Sequence, residues 1–418
     1  MNDIIKIIRD PIHNDIEFKG VFLDLLEAPE LQRLHNIKQL GFAHLVFPGG
    51  HHTRLEHSLG TYYMALKAAD HLNLDEYDKQ LLGCAAILHD VGHGPFSHTL
   101  ESILRNTLNV DHIDLTEKLI HGEHAIFDDL EKEYIDHATI FDVLNKHGID
   151  QKDVTDILRG NNKSKKYLTQ LIDSTIDVDQ LDYLIRDAYY TGVAYGMIDD
   201  NRFLQTLTLN NKNLAVDKKG IGVIENILMA RSLMYSSVYF HKTVRIAELM
   251  LSKAIELYEN ADPFEIFKLT DGELINDLKK IGKYQREIAT CLKYRKLFKK
   301  AYAPTNQDLD DAQKSFLKRL DDVDFRRRKE IEFEEKLSIP MGHIIIDVPR
   351  TELFLSEPRI NKTDIQIIDK DEVKTLDEFS PVGGAVRKKY IPDWAMMIIT
   401  DEKNRETVGK NAEKILFD

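Results

Sequence analysis

Residues 81–98 read LLGCAAILHDVGHGPFSH, an apolar run that ends on a histidine, an aspartate and a cluster of helix breakers. The run LLGCAAIL predicts a buried helix, and Gly92, Gly94 and Pro95 are the residues expected to end it. Within ten residues the stretch gathers His89, Asp90, His93 and His98. An adjacent His-Asp pair at a buried helix terminus offers one imidazole and one carboxylate to the same cation. Divalent metals accept such mixed nitrogen and oxygen sets. Two ligands are too few, so others must come from elsewhere in the chain.

Two candidates lie on neighbouring helical patterns: His57 in RLEHSLG and Asp179 in TIDVDQLDY. Taken singly, each has an ordinary reading. A His-Asp dipeptide is common, His57 can be a capping or core histidine, and Asp177 and Asp179 can line a solvated helix face. Taken together, in the order H…HD…D and each on a helix, the four are much harder to dismiss and make a candidate metal-ligating set.

From Val21 to about Leu204 apolar residues recur at three and four, which predicts a helical body. Residues 1–20 alternate around Asp10-Pro11 as a short strand pair would, and TLTLNNKNLAVDKKGIG predicts a β-hairpin around Asn210-Asn211. Helical periodicity runs again from Ile224 to about Ala301. Residues 305–337 are heavily charged, as a solvated helical stretch or a partner surface would be. The tail from Gly342 reads as short strands (HIIIDV, DIQIID, WAMMIIT) and one closing helix. The expected fold is mostly α: a helical body over 1–301 with short β-hairpins, a charged helical segment over 302–340, and a small α+β lobe over 341–418.

The 418 residues carry a net charge of −14, which argues against duplex nucleic acid as a partner. Two cysteines, Cys84 and Cys291, cannot build a disulfide framework and read as reduced packing residues. The N-terminal MNDIIKIIRDPIHND is too charged for a signal peptide, and no apolar run approaches the ~18 residues of a membrane span. The expectation is a cytoplasmic protein without a membrane partner.

The successive segments DPIHNDIEF, QRLHNIKQLG, VFPGGHHTRLEHSLG, ILHDVGHGPFSH and IDVDQLDYLIRDAYYTG resemble the dNTP triphosphohydrolase branch of the HD superfamily. The chain is similar to vertebrate dNTPases with an HD domain behind a SAM domain, and to bacterial dNTPases. The similarity spans roughly Lys6 to Lys242 and returns near IIDVPR and DEVKTLDEFSP. It implies an HD domain that cuts a dNTP substrate between the 5′ oxygen and the α-phosphorus, giving deoxynucleoside and triphosphate. It also implies one divalent metal ion (Mg, Mn, Fe, Ni or Zn) on His57, His89, Asp90 and Asp179.

By the same resemblance His98 is the catalytic histidine, Glu101 orients it and His93 contacts the phosphates. A third histidine is His112, in VDHIDLTEKLI, or His121, in HGEHAIF, and His112 is preferred. The glutamate that follows this histidine in the family is missing, with Ile113 or Gly122 in its place and Asp114 as a substitute. Arg54, Gln180, Tyr183 and Arg231 fall at triphosphate-binding positions, although Gln180 stands where the vertebrate enzyme has a lysine. Arg54 and Arg231 can also be ordinary ion pairs, and Tyr183 and Tyr239 core aromatics. Gln39 and Asp187 are implied at the 3′-OH, with Leu40 and Tyr239 closing the space of a 2′-OH. Phe240 replaces a glutamine near the base, so base preference does not carry over. A nucleotide activator would meet Lys6, Glu27 and Gln32, but His35 replaces the activator-reading arginine. A homo-oligomer, dimer or tetramer, is implied as well. The rival readings are another HD phosphohydrolase, a nucleotidase or phosphodiesterase, and a non-catalytic nucleotide sensor.

Overall fold

The computed structural model describes residues 4–97, 110–127, 130–258, 262–348, 365–370, 372–387 and 394–417. His98 and Glu101 lie outside the described residues.

A hairpin of β1 (Lys6–Asp10) and β2 (Asn14–Phe18) opens the chain, in register Lys6↔Phe18 to Asp10↔Asn14. The helical body follows. Helix α1 (Arg54–His71) starts on a capping box: Thr53 accepts from the Glu56 amide while Glu56 accepts from the Thr53 amide at 2.6 Å. Against it packs α2 (Glu76–Leu88), buried continuously from Leu81 to Leu88, as expected of a helix apolar on every side. The helix stops at Leu88 with His89 as its C-cap, earlier than the expected breakers. Two partners hold the following turn. Arg33 donates to the carbonyls of Val91 (3.1 Å) and His93 (2.6 Å), and the Gly92 amide donates to Thr116 Oγ1 at 2.9 Å. Helix α3 (His112–Ile120) supplies that threonine. Helix α4 (Val178–Thr191) is capped by Asp177 and ends at Gly192, whose left-handed φ of 74° suits glycine.

Strands β3 (Leu207–Asn210) and β4 (Asn213–Asp217) form the second hairpin. Its turn residues are Asn211 and Lys212, both at positive φ, one position later than the sequence signal. Helix α5 (Ile221–Met234) runs into a π-helical turn, Tyr235–Tyr239, before α6 (Lys242–Glu256).

The C-terminal half differs from the expected segmentation. Ala301 lies not in a helix but in β5 (Lys299–Tyr302). This strand belongs to a three-stranded antiparallel sheet with β6 (Ile344–Asp347) and β9 (Met397–Thr400), in the order β5-β9-β6. The segment DIQIID instead supplies β7 (Gln366–Asp369), which lies parallel to β4, with β8 (Glu372–Thr375) outside it. Strand pairing therefore crosses both segment bounds drawn from the sequence. In β6 and β9 every residue is buried, because both faces are covered. Ile345, Met397 and Ile399 join the core of the body, whereas Ile344, Ile346 and Ile398 join a second core. The closing helix α8 (Arg405–Phe417) adds Val408 and Leu416 to that second core.

The charged stretch is not wholly solvated. Its helix α7 (Val323–Leu337) buries Glu330, Phe333 and Glu334. Glu330 accepts from the Ile346 amide at 2.9 Å and from Lys253 Nζ at 2.6 Å, and Glu334 accepts from the Gly342 amide at 2.6 Å. Two carboxylates thus satisfy backbone donors along the outer edge of β6. Among the described residues no helix is long and apolar enough to cross a membrane.

Candidate metal centre

Three helices deliver the candidate ligands. His57 stands in the first turn of α1, His89 caps α2 with Asp90 beside it, and Asp179 stands in the first turn of α4. His57 Nε2 lies 3.2 Å from His89 Nε2 and 3.0 Å from Asp179 Oδ1. His89 Nε2 lies 3.3 Å from Asp90 Oδ1 and 3.6 Å from Asp179 Oδ1. Ligands about 2.1 Å from one ion sit roughly 3.0–3.4 Å apart, depending on coordination number. Three of these four separations fall in that range and the His89–Asp179 distance is slightly longer, while ligating atoms of His57, His89 and Asp90 all fall within 4.8 Å of one another.

Proton placement sharpens the fit. The His57 Nδ1–H donates to Asp182 Oδ2 at 2.8 Å, and the His89 Nδ1–H donates to the Ala86 carbonyl at 2.7 Å. Both rings therefore turn an Nε2 lone pair toward Asp179 and Asp90. Four acceptors aimed at one point repel unless a cation lies among them. In the absence of an ion that cation is a proton. Burial opposes charge on His57, but hydrogen bonds and negative charge from Asp179 and Asp182 outweigh it and push the imidazolium up to about 10. His89 is raised as well, against burial, chiefly by Asp90. Asp90 stays ionised although burial disfavours its charge, because the Arg54 guanidinium and neighbouring histidines hold it well below the usual carboxylate range. A negative, nitrogen- and oxygen-lined cluster of this kind fits a divalent metal.

Around the ligands, buried Arg54 donates to Asp90 Oδ2 at 2.5 Å and to Ser97 Oγ at 2.7 Å. His93 lies 3.3 Å from Asp90 Oδ1 and stacks on His112 at 4.0 Å between centroids. Burial, then the charge of Arg54 and the nearness of His112, hold the His93 imidazolium well below its usual range, so the ring is neutral. Gly92 permits this stacking, since a Cβ there would lie 2.1 Å from the His112 carbonyl oxygen. His121 caps the opposite end of α3, ~13 Å away along the axis. The Asp114 carboxylate is engaged by the Asp111 amide at 2.8 Å and by Arg159.

Beside the centre runs an aromatic row. Tyr183 meets His57 edge-on at 6.3 Å and Tyr239 at 6.1 Å. Tyr239 closes the π-helical turn, a local irregularity that re-aims its side chain. Its hydroxyl donates to Asp187 Oδ2 at 2.6 Å, while His52 Nε2 donates to Asp187 Oδ1 at 2.7 Å. The Gln39 amide donates to the His52 carbonyl at 3.0 Å, and Leu40 is buried next to it. Gln39 Oε1 and His52 Nδ1 are buried and lack a partner among the described residues. Gln180 and Arg231 are bonded to each other at 2.9 Å, and Arg231 also donates to the Thr175 carbonyl at 3.0 Å. At the N-terminal side, Lys6 pairs with Glu27 at 3.5 Å, Gln32 donates to the Leu26 carbonyl at 2.5 Å, and His35 is exposed.

Sequence reasoning missed the groups behind His57. Asp182 accepts from His13 Nε2 at 2.6 Å and from Arg186 Nε and Nη2, both at 2.9 Å. Arg186 Nη1 donates to Asp10 Oδ2 at 2.7 Å. A signal existed: Asp182 follows Asp179 by three positions and precedes Arg186 by four, which puts all three on one helix face. His52 was missed too, and only its place two residues before Arg54 hinted at it.

Comparison with known proteins adds to this geometry. The HD domain family matches residues 54–187, and the HD-associated region matches residues 198–417. An uncharacterized protein of Methanocaldococcus jannaschii is 33% identical over 417 residues, covering 98% of this chain and 82% of its own. The deoxynucleoside triphosphate triphosphohydrolase SAMHD1 of Gallus gallus is 30% identical over 300 residues. That match covers 65% of this chain and 48% of the avian protein, about half its length. Among solved structures, a phosphohydrolase from Bacteroides thetaiotaomicron is similar at a TM-score of 0.70 and 27% identity, covering 95% of this chain and 100% of the other.

Proposed function

The chain belongs to the HD-domain family and carries the HD-associated region behind that domain, and from that premise we propose that it is a metal-dependent dNTP triphosphohydrolase. The observation that carries the reading is the continuity between the metal centre and the row Tyr183, Tyr239, Asp187. A nucleotide with its phosphates at His57 and His89 would have its sugar toward the Asp187 carboxylate and the Tyr239 phenol, and Gln39 offers a buried oxygen without a partner among the described residues. The name of the avian relative supports the same substrate class. A divalent ion on His57, His89, Asp90 and Asp179 would supply positive charge to a phosphoryl oxygen and acidify water.

The chain's own residues do the rest. Neutral His93, stacked on His112, is a hydrogen-bond partner for a phosphate oxygen. By the family resemblance His98 would protonate the 5′ oxygen as it leaves or position the nucleophile, with Glu101 to orient it, a role usually worth ~10²–10⁴ in rate. Arg54, Gln180, Tyr183 and Arg231 line the triphosphate. Gln39 and Asp187 hold the 3′-OH, and Leu40 with Tyr239 exclude a 2′-OH. An unpartnered buried hydroxyl costs ~1–3 kcal/mol, so dNTPs should exceed NTPs roughly ten- to hundredfold. A nucleotide activator at Lys6, Glu27 and Gln32 and a dimeric or tetrameric assembly belong to the same reading.

A second reading, another HD phosphohydrolase acting on a nucleotide monophosphate or a phosphodiester, draws support from the arginines. Arg54 is engaged by Asp90, and Arg231 by Gln180 and Thr175, which leaves less cationic capacity for about four triphosphate charges. Product analysis separates the two. The purified protein is incubated with each dNTP and NTP plus Mn²⁺ or Mg²⁺, and phosphorus NMR identifies the products. Triphosphate with deoxynucleoside supports the first reading, and orthophosphate or pyrophosphate refutes it.

A further inference from the structure

Between the metal centre and the tip of the β1–β2 hairpin lies a buried network of five ionisable groups: His57, Asp182, His13, Arg186 and Asp10. Asp182 is its hub, accepting from His57 Nδ1 at 2.8 Å, His13 Nε2 at 2.6 Å and Arg186 Nε and Nη2 at 2.9 Å. Arg186 is anchored in turn on Asp10 Oδ2 at 2.7 Å. The other Asp10 oxygen accepts the amides of Ile12 (2.9 Å) and His13 (2.7 Å), so it also shapes the hairpin turn.

Stability is a poor reason for such a cluster, because buried ion pairs are at best about as favourable as apolar packing of the same shape. Its effect on His57 is specific. An ionised carboxylate only accepts, so the ring nitrogen facing Asp182 must carry the proton. Because Arg186 fixes the carboxylate from its far side, the ring can neither rotate nor exchange its two nitrogens without breaking a bond to Asp182. We propose that Asp182 is the positioning residue of the metal centre, presenting the His57 Nε2 lone pair, and that Arg186 and Asp10 hold it in register. The hairpin turn Asp10–His13 then takes part in setting metal affinity. The proposal rests on the reading of His57, His89, Asp90 and Asp179 as ligands of a divalent ion.

The test compares full-length wild type with Asp182→Asn, which keeps the shape, and Asp10→Asn, one contact further out. Mn²⁺ binding is measured by calorimetry on protein shown by circular dichroism to be folded. Nitrogen NMR of the Zn²⁺-loaded wild type reports which His57 nitrogen carries the proton. The expected results are a proton on Nδ1, a loss of Mn²⁺ affinity of about 10–100-fold in Asp182→Asn, and a smaller loss in Asp10→Asn. Unchanged Mn²⁺ affinity in folded Asp182→Asn overturns the proposal, as does a wild-type His57 bound to zinc through Nδ1. Should Asp182→Asn fail to fold, the wild-type spectrum and the Asp10→Asn affinity decide the matter. Wild type that binds no Mn²⁺ removes the ligand reading and the proposal together, whereas wild-type binding with an unaffected Asp182→Asn removes the proposal alone.

Discussion

Gly60 lies one turn after His57, in the middle of α1, where alanine would ordinarily stabilise a helix by about 1 kcal/mol. Here the opposite is expected. A Cβ built at Gly60 falls 1.9 Å from Asp182 Oδ1 and 2.3 Å from Arg186 Nη2, well inside any real carbon contact. Neither neighbour is a flexible surface group, since Asp182 and Arg186 are fully buried and bonded to each other. Relief therefore requires either a shift of α1 against α4, a typical overpacking cost of ~1–3 kcal/mol, or loss of part of the ion pair, at up to ~3–5 kcal/mol. Gly60→Ala should lose about 2–4 kcal/mol in urea unfolding at neutral pH without metal. It should also bind Mn²⁺ more weakly, because Asp182 moves with the clash. In the Asp182→Ala background the nearest obstacle is gone, so the penalty should shrink markedly. A Gly60→Ala protein as stable as wild type, with unchanged Mn²⁺ affinity, would refute the close approach of α1 and α4 on which this argument depends.

Three other outcomes are expected. His89→Ala and Asp179→Ala should each lose Mn²⁺ in calorimetry and lose hydrolysis, while far-ultraviolet dichroism keeps its helical signal; normal turnover by both would remove the ligand set. Tyr239→Ala should lower the dNTP-over-NTP ratio in kcat/KM, whereas Asp187→Ala should depress both sugars alike, and an unchanged ratio in Tyr239→Ala contradicts the sugar assignment. Glu30 is a buried carboxyl that burial pushes up to about 7, so the folded state holds its proton above the pH at which the unfolded chain releases it. Its contribution is present at low pH and is lost as pH rises from about 4.5 through 7, by up to roughly 3 kcal/mol. Glu30→Gln should flatten that decline between pH 5 and 8 in urea titrations, and an identical pH profile would count against the buried acid.

What the sequence disclosed depends on how local the governing physics is. His89 and Asp90 are adjacent, sit at a helix end and offer a nitrogen and an oxygen donor, so the residues themselves mark out a candidate site once His57 and Asp179 are set beside them. The helices carrying His57 and Asp179 were legible from their periodicity, and capping by Thr53 and Asp177 follows from residue type. The long-range part of the network behind His57 was illegible because His13 and Asp182 are 169 positions apart, and only tertiary packing makes one the partner of the other. The π-helical turn at Tyr239 leaves no sequence period to detect. Residues 305–337 were misjudged in part because composition scores glutamate as solvated, whereas Glu330 finds a backbone donor on β6 and Glu334 one at Gly342 just before it. Strand β5 looked helical because four residues are too few to establish a period of two.

The order β5-β9-β6 has a consequence for how the protein is made. The middle strand is the last to be synthesised, since Thr400 must return to pair with both Lys299 and Ile344. On the ribosome β5 and β6 emerge with no β9 between them, and β4 waits for Ile367 and Ile368 in the same way. Contacts this distant along the chain form slowly and leave strand edges open to mispairing meanwhile. The helical body around α1, α2 and α4 needs none of these late segments for the contacts that gather its four candidate ligands. The same late strands add Ile345, Met397 and Ile399 to the core of the body, so a chain halted near residue 300 has the elements that carry the four candidate ligands but not the packing that completes their core.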